Sequence, residues 1–193
     1  MTLVIQTFED RFAKHNWHDF YRDAAKPIPD DMPNPRGNPV SMHCFVDADH
    51  AGNQMTRRSQ TGIIIFINRA PIIWYSKQQN TVEASTFGSK FIALKTAIEP
   101  IEALRYKLRM FGIPLLGPCN VFCDNEAVTH NVSLPHSTLK KKHNAIAYHR
   151  VREAVAAGSI RVAKEDGTTN LADFLTKVLS SAHRERLLDS FTY

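Results

Sequence analysis

Cys44-Phe45-Val46-Asp47-Ala48-Asp49-His50-Ala51-Gly52 is the stretch from which the fold can be read. A run of β-forming residues carries carboxylates at alternate positions and is stopped by a glycine. Side chains i and i+2 leave the same face of a strand, so Asp47 and Asp49 are expected to point the same way. Two acids at a strand end can begin a divalent-metal site, because hard cations take oxygen ligands. Two solvated residues capping a turn make the same pattern. The pair alone decides nothing; the acids further along the chain do.

Downstream, Gln60–Asn68 and Ala70–Lys77 read as second and third strands, and the short break at Asn68-Arg69-Ala70 makes them a hairpin. With Ser41–Asp49 they form an antiparallel meander. From Ser85 to Gly112 the period becomes helical: Phe87, Phe91, Leu94, Ile98 and Ile101 recur at helix spacing, with Ser85 or Thr86 as N-cap. Pro100 is expected to kink or divide this helix, and Gly112-Ile113-Pro114 to end it. Val121–Asp124 is a short buried strand, followed by a helix over Asn125–Val132. The basic run Thr138-Leu139-Lys140-Lys141-Lys142-His143 feeds a helix through Ala157 that stops at Gly158. Ile160–Ala163 is a last strand, and Asn170–Tyr193 returns to helix. This order predicts an α/β fold with a mixed sheet and helices on its faces.

Upstream, a short helix around Phe8–Phe20 runs into Pro27, Pro29, Pro33, Pro35 and Pro39. Prolines at this density form neither a helix interior nor a central strand, so residues 1–40 read as a proline-rich tether that packs weakly. Residues 41–180 form the domain, and 181–193 a helical tail.

A chain of 193 residues, 43% hydrophobic and 22% charged, suits one globular domain. The net charge of +5 leans toward polyanionic partners. Cys44, Cys119 and Cys123 are odd in number and lie mostly in apolar runs, as buried thiols in a reducing compartment do. Cys119 and Cys123 fit no familiar zinc-ligand spacing. Leu3-Val4-Ile5 is too short, and too soon followed by Glu9 and Asp10, for a signal peptide or a membrane span. No membrane partner is expected, and the location expected is intracellular, cytoplasmic or particle-associated.

Three acids now stand at comparable places. Asp47 ends the first strand, Asp124 ends the fourth in Phe122-Cys123-Asp124-Asn125, and Asp173 opens the final helix in Asn170-Leu171-Ala172-Asp173-Phe174. On the long helix Lys90 sits about 40° from Leu94 at a helical turn of about 100° per residue. That is the border of the apolar stripe, where an unpaired ammonium is costly.

With these residues assembled, the chain resembles the ribonuclease H domain of copia-type retrotransposon polyproteins. The matching stretches are FVDADHAG (45–52), TRRSQTG (56–62), PIIWYSKQQNTVEASTFGSKFIAL (71–94), VFCDN (121–125), TLKKKH with AYHRVREAVAAG (within 138–158) and NLADFLTK (170–177). The resemblance implies a five-stranded mixed sheet, three antiparallel strands and then two parallel additions, flanked by helices. It implies Mg²⁺-dependent (or Mn²⁺-dependent) hydrolysis of RNA in RNA–DNA hybrids, with two ions in an active relative. It also implies a reverse transcriptase domain of the parent polyprotein as a partner, lying outside these residues. The metal-binding acids map to Asp47, position 90, Asp124 and Asp173. At position 90 the family pattern has glutamate and this chain has Lys90. Many relatives also carry a histidine in the loop before the last acid; residues 164–169 contain none.

Two-metal hydrolysis needs ions about 4 Å apart that clamp the attacking and leaving oxygens. Lysine in place of glutamate changes the local charge by two units. At about 4 Å and an effective dielectric near 20, each unit interaction is on the order of 4 kcal/mol before desolvation, enough to impair metal binding. Asp49 is the substitute ligand on the same strand face. Glu83 is a poor one, about 10 Å of helix from position 90. Arg57, Arg58, Asn125, Lys140, Lys141, Lys142 and His143 are the candidate contacts to nucleic acid, made mainly to phosphates without reading sequence. Lysines at a helix N-terminus oppose its dipole, which favours a phosphate role over a solvated loop entry. The readings are an impaired ribonuclease H, or a non-catalytic hybrid-binding module or retroelement relic. An integrase-like nuclease is disfavoured by the segment-by-segment match.

Overall fold

The centre of the sheet is written in unbroken apolar runs because both of its faces are covered. Strand β1 (Met42–Ala48) is buried along its whole length, and β2 (Gln60–Ile67) is buried at all but its end residues. Strand β3 (Ala70–Gln78) is an edge with exposed and half-buried positions, where Pro71 costs no ladder bond to a further strand. These features come from a computed structural model, which describes residues 16–25, 27–139 and 144–189.

The sheet has five strands in the order β3-β2-β1-β4-β5, with β4 at Cys119–Cys123 and β5 at Ile160–Lys164. The first three strands pair antiparallel, and β1–β4 and β4–β5 pair parallel, as the resemblance implies. Asn68, with φ at +52°, turns the two-residue β2–β3 hairpin, and its side-chain oxygen accepts the Ser41 amide at 2.9 Å.

One face carries Cys44, Val46, Ile63, Ile65 and Val121 against α1 (Thr86–Met110), α2 (Glu126–Ser133) and α3 (Ala145–Ala156). Ser85 caps α1, its hydroxyl accepting the Gly88 amide. Pro100 lies inside α1 without dividing it, because the buried stripe from Phe91 through Ile98 and Ile101 to Leu108 holds both halves on the sheet. Gly112 stops it in left-handed backbone (φ +70°), with the Ile113 amide reaching back to the Leu108 carbonyl at 2.9 Å.

The other face carries Phe45, Ile64 and Phe66 against Leu171, Ala172 and Leu187. Here the structure corrects the sequence reading of one helix over Asn170–Tyr193. Its described part is a short 3-10 turn, Leu171–Leu175, and then α4 (Ser181–Leu188), separately capped by Ser180. The single helix fails because the chain must turn to lay first Leu171 and then Leu187 on one small apolar face. Leu187 is therefore core, and it holds α4 on this face.

Residues 27–39 contain no helix or strand. They pass over the end of α1, where the Arg36 amide bonds the Gly112 carbonyl at 2.6 Å. Before them, a 3-10 turn at Trp17–Asp19 inserts Trp17 into the main core, so the N-terminal region is anchored at this point. The rest of the expected Phe8–Phe20 helix lies outside the described residues.

Candidate active site

Parallel pairing of β1 and β4 puts their C-terminal ends at the same sheet edge. Val46 is in register with Cys123, so Asp47 and Asp124 are neighbours although far apart in sequence. Asp47 is fully buried and Asp124 partly exposed. Lys90, on the second turn of α1, lies between them. Its Nζ donates to Asp47 Oδ1 at 2.9 Å and to Asp124 Oδ1.

Asp173 comes to the same place by a different device. Asn170 caps the 3-10 turn by accepting the Ala172 amide at 3.1 Å. The same side chain donates to the Val46 carbonyl at 3.1 Å, fastening the turn to β1 one residue before Asp47. Gly62 faces Asp47 across β1–β2. A Cβ on Gly62 would lie 2.7 Å from the Ala172 carbonyl oxygen and 2.8 Å from Thr176 Cγ2, so only glycine lets the turn lie this close. Thr176 Oγ1 then donates to Asp47 Oδ2. Lys177 Nζ sits 3.2 Å from Asp47 Oδ2 and 2.9 Å from Asp173 Oδ1.

Both oxygens of Asp47 are thus engaged by ammonium groups, Lys90 on one and Lys177 on the other. Burial alone would push the Asp47 carboxyl up. Lys90, Thr176 and Lys177 together outweigh it and hold the carboxyl at about 2. For Asp173 burial wins: it pushes the carboxyl up, Asp47 adds to the rise, and the contact with Lys177 offsets only part. The difference follows from sharing, since Asp47 has two cations and Asp173 has a part of one. Burial works to lower the Lys90 ammonium, and the two aspartates more than reverse it.

This arrangement does not fit a divalent ion between Asp47 and Asp124, where an ammonium already lies. Among the described residues, no three His, Cys, Asp or Glu side chains are gathered as a metal site. Asp49 is not brought in. Strand β1 ends at Ala48, and the Asp49 carboxylate accepts the Gln60 amide, bracing the 49–60 loop. Strand alternation does not reach Asp49 because a peptide N–H across the loop claims the side chain. Glu83 is buried at the start of α1 beside Gly88 and Asn144.

Of the candidate nucleic-acid contacts, Arg57 and Arg58 are exposed in the β1–β2 loop, and Arg57 has φ at +55°. Asn125 caps α2, accepting the Val128 amide at 3.1 Å. Lys140, Lys141, Lys142 and His143 lie outside the described residues. The three cysteines are buried thiols, and burial pushes Cys119 and Cys123 up to about 12, in keeping with inert core residues. Sequence reasoning missed Gly62, Asn170, Thr176 and Lys177. The available signals were Lys177 at i+4 from Asp173 and a glycine interrupting the apolar run of β2.

No protein-family model matches the chain. It is 34% identical over 145 residues to the Retrovirus-related Pol polyprotein from transposon RE1 of Arabidopsis thaliana. It is 31% identical over 143 residues to that from transposon TNT 1-94 of Nicotiana tabacum. These matches cover 75% and 74% of this chain but only 10% and 11% of the polyproteins, so the chain spans about a tenth of the length of the curated relatives it matches. Among solved structures, it is similar to the N-terminal RNase H domain of Rv2228c from Mycobacterium tuberculosis, with TM-score 0.54, 13% identity and coverage of 79% of this chain and 99% of that one. It is also similar to RNase H1 from the archaeon Halobacterium salinarum (0.52, 16%, 77% and 98%). A third is LC11-RNase H1, solved in complex with RNA/DNA hybrid (0.55, 14%, 70% and 94%). At these identities the structural likeness speaks for the fold alone. Sequence and fold together place the chain: it is homologous to a segment, about a tenth of the length, of retrovirus-related Pol polyproteins from copia-type transposons, and it has the ribonuclease H fold.

Proposed function

We propose that this chain is an RNA–DNA hybrid-binding domain of ribonuclease H lineage that is nearly unable to cut its substrate. One observation carries the reading: the Lys90 ammonium lies between Asp47 and Asp124, in contact with both carboxylates. An ammonium there supplies the charge that a divalent ion would otherwise bring, but it cannot polarise a phosphate oxygen or lower the pKa of a bound water as a metal does. In active relatives the family resemblance implies Mg²⁺ or Mn²⁺ on Asp47, Asp124, Asp173 and a glutamate. In this chain the Lys90 ammonium supplies part of that charge instead, and with Lys177 it sets two cations against the three carboxylates.

Binding does not need that chemistry. The chain carries net +5, exposed Arg57 and Arg58, and the run Lys140-Lys141-Lys142-His143, and phosphate contacts give affinity without sequence reading. The LC11 neighbour was solved with hybrid bound, which supports the choice of substrate.

The test is cleavage and binding of a labelled RNA–DNA hybrid in Mg²⁺ and in Mn²⁺, for the unmodified chain and for Lys90→Glu. The expected result is binding by both and cleavage by Lys90→Glu only. Robust cutting by the unmodified chain would overturn the proposal. Failure of both proteins to bind would remove the hybrid as substrate.

A further inference from the structure

Away from the acidic cluster, α3 carries a guanidinium that is 2% exposed, that of Arg152. Its Nη1 donates to the carbonyls of Asn131 and Leu134 at 3.0 Å each. The same nitrogen, whose two N–H groups are shared among its neighbours, also lies 2.7 Å from Ser137 Oγ and 2.7 Å from the Tyr148 hydroxyl. Nη2 donates to the Pro135 carbonyl. Nε donates to the Tyr21 hydroxyl at 3.1 Å, and that hydroxyl also meets His149 Nδ1 at 2.8 Å. The guanidinium carbon lies 4.8 Å from the ring centre of Tyr148, 5.2 Å from that of Trp17 and 5.7 Å from that of Tyr21.

One cation therefore joins three pieces of chain: the N-terminal segment through Trp17 and Tyr21, the loop at 134–139 through its carbonyls, and α3 itself. A second contact repeats the first link, Phe20 meeting His136 edge to face at 5.1 Å. A cavity of about 620 Å³ lies between the segment, the loop and α3. Buried carbonyls need donors, and a guanidinium is suited to this one because its fork bonds in plane while its faces take aromatic rings.

The loop at 134–139 runs directly into Lys140-Lys141-Lys142-His143. We propose that docking of residues 17–21 on Arg152 sets this loop, so that the N-terminal segment is a positioning part for hybrid binding. The inference rests on the proposed reading that hybrid is held through the basic run. An arginine with only a packing role would hold the loop whether or not the segment is docked. A loop set in advance loses less freedom on binding.

The experiment compares the full chain with Tyr21→Phe, which deletes only the hydroxyl tying the segment to Arg152, and with Trp17→Ala. Hydrogen exchange of 134–139 is followed alongside hybrid affinity at several salt concentrations. Exchange of the loop is expected to rise, and Kd to rise about fivefold for Trp17→Ala and less for Tyr21→Phe, because the loop must then be ordered on binding. The salt slope should stay unchanged, since no phosphate-contacting cation is removed. Unchanged loop exchange in Tyr21→Phe would overturn the inference even if Trp17→Ala fails to fold. So would looser exchange with unaltered affinity, or weaker affinity with unaltered exchange, which would mean the segment touches the hybrid itself. If the unmodified chain binds no hybrid, the functional reading has failed, and loop exchange in Tyr21→Phe still decides whether the segment holds the loop.

Discussion

Two lysines share Asp47, and they are not equivalent. The Lys90 side chain is 10% exposed and touches two carboxylates, whereas that of Lys177 is 39% exposed at the rim. Removing one partner of a buried pair costs about 3–5 kcal/mol, a part-exposed one about 1 kcal/mol or less. Lys90→Gln is therefore expected to lower metal-free stability far more than Lys177→Gln. Lys90→Glu should lower it further still, by adding a negative charge to the cluster. Melting in EDTA orders the three variants, and a Lys90→Glu protein that melts higher would refute the counter-ion account. The same pair fixes a pH response. The Asp47 carboxyl is held at about 2 against an ordinary 3.8, so its contribution, about 2 kcal/mol, is present above pH ~4 and lost as pH falls toward 2. Asp173 is raised, so its effect has the opposite sign: it favours the folded chain at low pH and fades as pH rises through its folded value. Comparing acid unfolding of the unmodified chain with Asp47→Asn isolates the Asp47 contribution, and the variant should lose the steep part of the acid limb.

Among the elements, the 3-10 turn at Leu171–Leu175 has the most demanding placement, because it must lie on β2 while delivering Asp173, Thr176 and Lys177 to Asp47. Gly62 makes that approach possible. Gly62→Ala should force the turn outward, at about 1–3 kcal/mol as for other overpacked sites, and break the contacts of Thr176 and Lys177 with Asp47. Denaturant unfolding gives the stability change. An Asp173 whose titration by NMR is unmoved in the variant would show that the turn had not shifted. The long helix shows the opposite balance. Pro100 removes a backbone donor, which ordinarily breaks a helix interior, yet α1 runs unbroken from Thr86 to Met110. Its buried face outweighs the local preference, as tertiary packing often does.

For the whole molecule, phosphate contacts by its basic residues make hybrid affinity fall with salt on the proposed reading. Replacing Lys140, Lys141 and Lys142 by alanine should flatten the log–log slope by about 0.9 for each phosphate no longer neutralised; an unchanged slope returns those lysines to a solvated loop. How much of the molecule was legible beforehand differs by kind of information. The order of strands and helices, the break at Gly112, the buried thiols and the three acids were all written in local pattern. Periodicity, caps and turn residues act over a few neighbours, so the sequence by itself determined them. It also determined that position 90 is a cation, because residue identity needs no fold. Tertiary structure decided the rest: that Asp49 bonds Gln60 across a loop, that the last helix breaks so two leucines reach one face, and that Trp17 docks beside Arg152. It also decided that Lys177 takes the second oxygen of Asp47. Each of these depends on which distant groups meet in the folded chain, and burial and charge become large only after those groups leave water.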